Sequence, residues 1–343
     1  MKQKLLSILL LPSLGLCLLA GCSTWGTPPA LSCAPEEERR LVVYTSHKEE
    51  DWRPIVKEFE ERTGIWVDVV YGATSELLEQ IAQEQKNPVA DVMFGGGVES
   101  LEAYRDCFTP YTCADSAHLL DQFRSPDDIW TPFSALPVVF IYNTKLMEPG
   151  QVTRWSDLLS PQLRGKIAFT NPAVSGSAFT ELATMLYALG GNWEETARLF
   201  AQNLEGVQLD ASGTVLTAVA DGDALVGITV EDAALKRIAE GKNISIVYPA
   251  DGTSCVPDGS ALVRGAPHQE NAQLFLDFTV SQEVQQLIVD QFLRRSVRDN
   301  TEPMADLAKL DELPLIDYDL SRAVRDRDAI LMTWAFYLEE AAS

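Results

Sequence analysis

The sequence predicts an α/β fold on two observations. From Leu41 onward, β-rich runs alternate with runs of helical period, and the loops that follow the strands are short and rich in Gly, Ser and Thr. The chain has 343 residues, 46% hydrophobic and 22% charged, enough to divide into two domains. Its 27 Lys and Arg stand against 50 Asp and Glu, a formal charge of −23. That balance speaks against nucleic acid or an anionic membrane surface as the main partner, since both repel a chain of this sign.

The first segment reads as an export signal. Lys2 and Lys4 form a positive start, and an apolar run from Leu5 to Leu19 follows, broken by Pro12 and Gly15. It is too short and interrupted for a span of about 20 apolar residues. Leu19-Ala20-Gly21-Cys22 ends the run and resembles the bacterial lipobox. The resemblance implies that residues 1–21 are removed and that Cys22 carries lipid, tethering the body to a membrane face. Residues 22–40 show no apolar period and read as a flexible tether. Cys33, Cys107, Cys113 and Cys255 remain, and an exported compartment favours disulfides or free thiols; Cys107 and Cys113 are near enough in sequence to close a short loop. No Cys-x-x-Cys pair is present and no histidine lies near a cysteine, so a metal site is not expected.

Leu41 to Thr45 is the first strand, and Trp52, Ile55, Val56 and Phe59 mark a helix that Gly64 stops. Ile65 to Tyr71 is the second strand, Leu77, Leu78 and Ile81 mark the second helix, and Ala90 to Phe94 is the third strand. The alternation returns at Val138–Tyr142, Lys166–Thr170, Ala224–Thr229 and Ile244–Tyr248. Ligands of open α/β sheets sit beyond the carboxyl ends of strands, so the loops there are the candidates. They carry Thr45, Ser46 and His47; Thr74 and Ser75; Gly95, Gly96 and Gly97; Ser175, Gly176 and Ser177; Ser212, Gly213 and Thr214; and Thr229, Glu231 and Asp232. Hydroxyls and bare backbone N–H groups at helix starts cradle anions, although each such loop taken alone also serves as a helix cap.

Several runs resemble one family. Val43-Tyr44-Thr45-Ser46-His47-Lys48-Glu49, Phe59-Glu60-Glu61-Arg62-Thr63-Gly64, Ala90-Asp91-Val92, Tyr142-Asn143-Thr144-Lys145-Leu146, Leu163-Arg164-Gly165-Lys166-Ile167 and Asn271-Ala272-Gln273-Leu274-Phe275-Leu276-Asp277-Phe278 are similar to the ferric-binding-protein-like cluster of extracellular solute-binding proteins. The resemblance implies a two-lobed periplasmic-binding-protein fold of type II, with the ligand cleft between lobes joined by hinge strands. Lobe one would hold residues 41–136 and 257–297, lobe two residues 137–256 and 298–343, with the amphipathic run Ser321–Leu338 packed back on lobe two. The partners implied are a small-molecule solute and the transmembrane permease of an ABC importer, at the outer face of the cell membrane or in the periplasm.

The cluster binds ferric ion, phosphonates, sugar phosphates, thiamine or its phosphates, and polyamines. Ferric members use a histidine, a glutamate and two adjacent tyrosines. His47 matches the histidine, whereas the other positions fall at Gly96 and at Glu231 and Asp232, which removes the phenolates a hard cation prefers. Similarity to the phosphonate and hexose-phosphate branch implies instead that Ser175, Gly176 and Ser177 hold phosphate oxygens and that Thr45, Ser46 and His47 face them. Glu231 and Asp232 would then take sugar hydroxyls or an amine, or simply complement a helix dipole. His47 is open between neutral and protonated forms. No cofactor and no metal is expected, with a ferric-ion binder as the runner-up. A secreted hydrolase is the contrasting class, but Gly-x-Ser-x-Gly, His-Glu-x-x-His and Walker A sequences are all missing. A sensor or adhesin that keeps the binding fold would look the same.

Overall fold

Burial along the first strand sets the layout. In the computed structural model, which describes residues 36–305 and 307–343, β1 (Arg40–Thr45) buries Leu41, Val43, Tyr44 and Thr45. The leader, Cys22 and Cys33 lie outside the described residues. A single 3-10 turn at Glu37–Arg39 precedes β1, so regular structure is present ahead of the Leu41 expected.

α1 (Glu49–Thr63) turns Ile55, Val56 and Phe59 onto the sheet and ends where Gly64 takes a left-handed conformation and its N–H reaches Glu60 O. β2 (Trp66–Tyr71) and α2 (Thr74–Glu84) repeat the unit. β3 (Val92–Gly97) runs through all three glycines and leads into α3 (Val98–Ala103) and the short β4 (Phe108–Thr109). The glycine run is therefore strand rather than the loop expected. The ladder of β3 with the later strand β9 (Cys255–Val263) shifts register between Phe94 and Gly97, which bends the strand there.

β5 (Thr131–Asn143) is long because it serves two neighbourhoods. Its first half pairs antiparallel with β9, and its second half with β7 (Val226–Val230) and β8 (Ile244–Val247). Between these lie α4 (Trp155–Leu158), β6 (Ile167–Ala168), α5 (Gly176–Leu189), α6 (Trp193–Asn203), α7 (Ser212–Asp221) and α8 (Glu231–Ala239). After β9 come α9 (Gln269–Thr279), α10 (Gln282–Phe292) and α11 (Leu320–Ala341). The sheet order is β2-β1-β3-β9-β5-β7-β6, with parallel ladders at β1/β2, β1/β3 and β6/β7.

Apolar residues gather in separate cores. The first takes Leu41 to Ala135 and Val256 to Val297, around Phe59, Phe94 and Phe275. The second takes Val138 to Ile228 and is covered by Ala323, Ile330 and Trp334 of α11, with a smaller cluster around Val215 and Val219 beside it. Leu310, Tyr318 and Leu320 pack against the first core, and Arg298 bridges Leu119. The amphipathic run Ser321–Leu338 lies within α11, which covers the second core, while Leu310 packs on the first.

Cys107, Cys113 and Cys255 are unbonded, so the short Cys107–Cys113 loop is not closed. Each is used in packing: Cys107 Sγ accepts from Gln85 Nε2 at 3.0 Å and Cys113 Sγ lies 3.5 Å from Thr131 Oγ1. Burial pushes the Cys113 thiol up to about 12, which suits a packed thiol rather than a reactive one.

Candidate functional site

The loop after β1 is built on Thr45. Its hydroxyl donates to Phe94 O at 2.7 Å and accepts from His47 N–H at 3.1 Å, tying β1 to β3 and turning the chain inward. Thr45 is fully buried and so spends its hydroxyl on the scaffold, while Ser46 is half-buried beside it. The His47 ring sits against Phe94 and Phe133, with centroids 4.6 and 5.3 Å away, and its Nε2 is 3.6 Å from Asp258 Oδ2. Burial, helped by the nearby charge of Arg294, lowers its pKa to about 3, so the imidazole is neutral.

The glycines make room for these side chains. A Cβ on Gly95 would lie 2.6 Å from His47 Nε2, and one on Gly96 2.8 Å from Thr74 Cγ2. Gly95 and Gly96 also have φ of 93° and 109°. Their role is closeness to His47 and Thr74 rather than loop flexibility.

His47 therefore carries a pH signature. The unfolded imidazole takes a proton near 6.5 and the folded one only near 3, so stability is lost as pH falls between those values. The expected slope from this residue is about 1.4 kcal/mol per pH unit. Asp258, whose carboxyl burial pushes up, slopes the other way above its ordinary value of 3.8, so the informative quantity is the difference between wild type and His47→Gln. Urea unfolding at pH 7, 6 and 5 should show the variant losing less stability; parallel profiles would mean that native His47 accepts the proton.

A network of buried charges surrounds this histidine. Arg294 Nη1 lies 2.9 Å from Asp258 Oδ2, Nε 3.0 Å from Asp232 Oδ2 and Nη2 3.4 Å from Asp51 Oδ2. Ser134 donates to Asp258 from both N–H and Oγ, at 2.8 and 2.7 Å. Lys236 of α8 reaches Asp51 of α1 at 2.6 Å. Burial pushes Asp51 up, but Arg294 and Lys236 outweigh it and hold the carboxyl below its ordinary range. Alongside, Arg295 grips Glu231 through Nε at 2.7 Å and Nη2 at 3.0 Å, and Tyr248 OH donates to the same carboxylate. Leu293, in the left-handed conformation with φ 56°, ends α10 and sends the two arginines into the network.

Glu231 and Asp232 are thus brought to the site but not as the free acceptors expected. Arg295 and Arg294 pair with them, at 2.7 and 3.0 Å. Among the described residues no cluster of three or more His, Cys, Asp or Glu has metal-holding geometry.

A second cluster, at the starts of α5 and α7, is made of hydroxyls. Ser175 caps α5, accepting from Ala178 N–H at 3.3 Å, and its Oγ is 3.1 Å from Ser177 Oγ and 3.0 Å from Ser212 Oγ. Ser177 and Ser212 are 3.4 Å apart. Two helix starts, of α5 and α7, therefore meet through three hydroxyls. Lys48 Nζ lies 3.8 Å from where a Cβ on Gly213 would be. Gly97 and Gly176 bring the two chain regions together: a Cβ on Gly176 would sit 3.1 Å from Gly97 N. Ser75 Oγ is 3.5 Å from Val174 O, just ahead of the cluster. Thr214 is exposed and turns its hydroxyl back to Ala211 O, so Ser212 is the residue of that loop that joins the cluster. Thr229 is buried within β7, opposite Val139.

Residues 87–323 match the profile of the bacterial extracellular solute-binding proteins. The chain belongs to that family. It is a solute-binding protein of the kind that serves ABC importers, and its fold is the two-lobed type II periplasmic-binding-protein fold, with β5 running from the first core into the second. It is similar to iron uptake protein A1 of Synechocystis, 25% identical over 325 residues that cover 86% of this chain and 89% of the relative. A putative 2-aminoethylphosphonate-binding periplasmic protein of Salmonella typhi is 24% identical over 251 residues, covering 71% of this chain and 73% of its own. Among solved structures, the periplasmic binding protein AfuA of Actinobacillus pleuropneumoniae, with fructose-6-phosphate bound, superposes with a TM-score of 0.81 at 23% identity, over 88% of this chain and 98% of that one. These relatives are named as uptake or binding proteins, and they are periplasmic where their names give a place.

The solute-binding protein carries candidate site residues that sequence reasoning missed: Lys48, Asp51, Asp258, Arg294 and Arg295. The Arg294-Arg295 pair just beyond a helix stop was the one local signal available for them. His268 is part of the scaffold. Its Nδ1 lies 2.8 Å from Asp91 Oδ2, and Asp91 also accepts from Val42 N–H.

Proposed function

We propose that this protein captures a small anionic solute of the phosphonate or sugar-phosphate type and delivers it to the permease of an ABC importer by closure of its lobes. Lobe one would comprise residues 41–136 and 257–297, and lobe two residues 137–256 with the α11 region. Export and a lipid on Cys22 would hold it at the outer membrane face or in the periplasm. The observation that carries the reading is the meeting of Ser175, Ser177 and Ser212 at two helix starts, with Lys48 reaching toward the same place. Hydroxyls and N–H groups there match phosphate oxygens, and the names of the phosphonate-binding and fructose-6-phosphate-bound relatives support it. The acidic body is not an obstacle, since charges beyond a Debye length of about 8 Å are largely screened.

The test is a melting screen with hexose phosphates, 2-aminoethylphosphonate, inorganic phosphate and ferric citrate. A ligand at 100 times its Kd adds about 2.7 kcal/mol to the native state. Ser177→Ala with Ser212→Ala leaves the Ser175 cap in place and should weaken the phosphate or phosphonate ester that binds by about tenfold or more, each lost charged hydrogen bond being worth about 1.5–3 kcal/mol. Unchanged affinity in that double variant, or a shift with iron alone, would overturn the reading.

A further inference from the structure

Arg294 is a buried cation held between three carboxylates that come from three separate elements. Asp51 starts from α1, Asp232 from α8 and Asp258 from β9, and the three side chains and the guanidinium are all about nine-tenths buried or more. Each carboxylate lies near a different guanidinium nitrogen: Nη1 and Nη2 donate to Asp258 and Asp51 at 2.9 and 3.4 Å, while Nε faces Asp232 at 3.0 Å as an ion pair outside hydrogen-bond geometry, an arrangement of several donors that a single Lys ammonium does not reproduce. Asp232 Oδ1 and His47 Nε2 are buried beside it without hydrogen-bond partners. Without the guanidinium, three buried carboxylates would face the vacated space, with only Asp51 still paired, to Lys236, and their spacing would suit a guanidinium-like organic cation rather than a metal ion.

We propose that Arg294 is a specificity-determining residue: a resident guanidinium that fills this acidic cluster and shuts out cationic solutes. The neighbouring pair Arg295–Glu231 acts in the same sense, and together they leave the hydroxyl cluster as the place where a solute's charge is read. This goes beyond the anion reading and concerns a different set of side chains. Loss of anion binding and loss of cation exclusion are therefore separate results.

The experiment compares wild type, Arg294→Ala, Arg294→Lys and Arg294→Ala with Asp232→Asn, using methylguanidinium and guanidinium at sub-denaturing concentrations as probes. Arg294→Ala should gain a saturable rise in melting temperature with each probe, with an affinity about tenfold or more above any that the wild type shows. Wild type and Arg294→Lys should gain neither, and the double variant should lose the gain. A purely structural role would make Ala and Lys variants respond alike. If Arg294→Ala fails to fold, Arg294→Gln carries the same comparison. The wild type decides independently: saturable binding of either probe that Asp232→Asn abolishes would overturn the proposal, as would an Arg294→Ala or Arg294→Gln variant that folds and binds neither probe.

Discussion

Gly95→Ala should cost about 3–5 kcal/mol, the sum of two separate penalties. The first is backbone strain, since φ at Gly95 is 93°. The second is steric: the new methyl would stand 2.6 Å from His47 Nε2 and 2.7 Å from its Cδ2. That ring cannot swing aside, because Phe94 and Phe133 flank it and its own backbone N–H is tied to Thr45. Gly150 offers a matched control, with φ of 87° and nothing within 4 Å of its absent Cβ. Gly150→Ala should therefore show the strain penalty alone, about 1–3 kcal/mol. Adding His47→Ala to Gly95→Ala should return the steric part, so the cycle apportions the two. Urea unfolding reads all five proteins, wild type and His47→Ala alone included; equal losses for Gly95→Ala and Gly150→Ala would mean that His47 yields freely and the cleft floor is soft.

The same residues show what was legible in the sequence. Strand and helix positions came through because burial on one face imposes periodicity, as in Ile55, Val56 and Phe59 of α1, and because Gly64 needs its left-handed turn. Loops at the strand ends were legible for the same reason: they follow from the elements that flank them. Which side chain in a loop faces the cleft was not. Ser212 and Thr214 are two residues apart with the same chemistry, yet one meets Ser175 and the other bonds back to Ala211. Thr45 has the chemistry of a ligand contact, but its hydroxyl is consumed by Phe94 O and His47 N–H. The occupation of Glu231 and Asp232 was invisible because their partners lie more than sixty residues away, at Arg294 and Arg295. Family resemblance carried the fold across that gap, but the pairing of charges is a tertiary fact of this chain.

Trp334→Ala is expected to cost about 3–5 kcal/mol through the cavity it leaves. Trp334 is 2% exposed, packs against Phe169 and Phe200 with centroids 5.7 and 5.6 Å away, and donates from Nε1 to Gln208 Oε1 at 3.2 Å. It is the largest of the three α11 side chains that close the second core, with Ala323 and Ile330 beside it, so little else can fill its place. Met332, two residues earlier and 74% exposed, supplies the control, and Met332→Ala should stay within about 0.5 kcal/mol. The anchoring of α11 also bears on function. The chain leading into it places Tyr318 OH 2.7 Å from Glu99 Oε1, and Glu99 accepts from Thr180 of α5 as well, at 2.9 Å. Glu99 thus connects the start of α11 to the helix that Ser175 caps, yet neither bond passes through Trp334. Folded Trp334→Ala should then keep its solute affinity within about threefold while losing stability, since a change under 1 kcal/mol is all that relaxation away from the site allows. An affinity loss as large as that of Ser177→Ala with Ser212→Ala would instead mean that α11 sets the position of the hydroxyl cluster, and that the last helix belongs to the binding site rather than to the wall behind it.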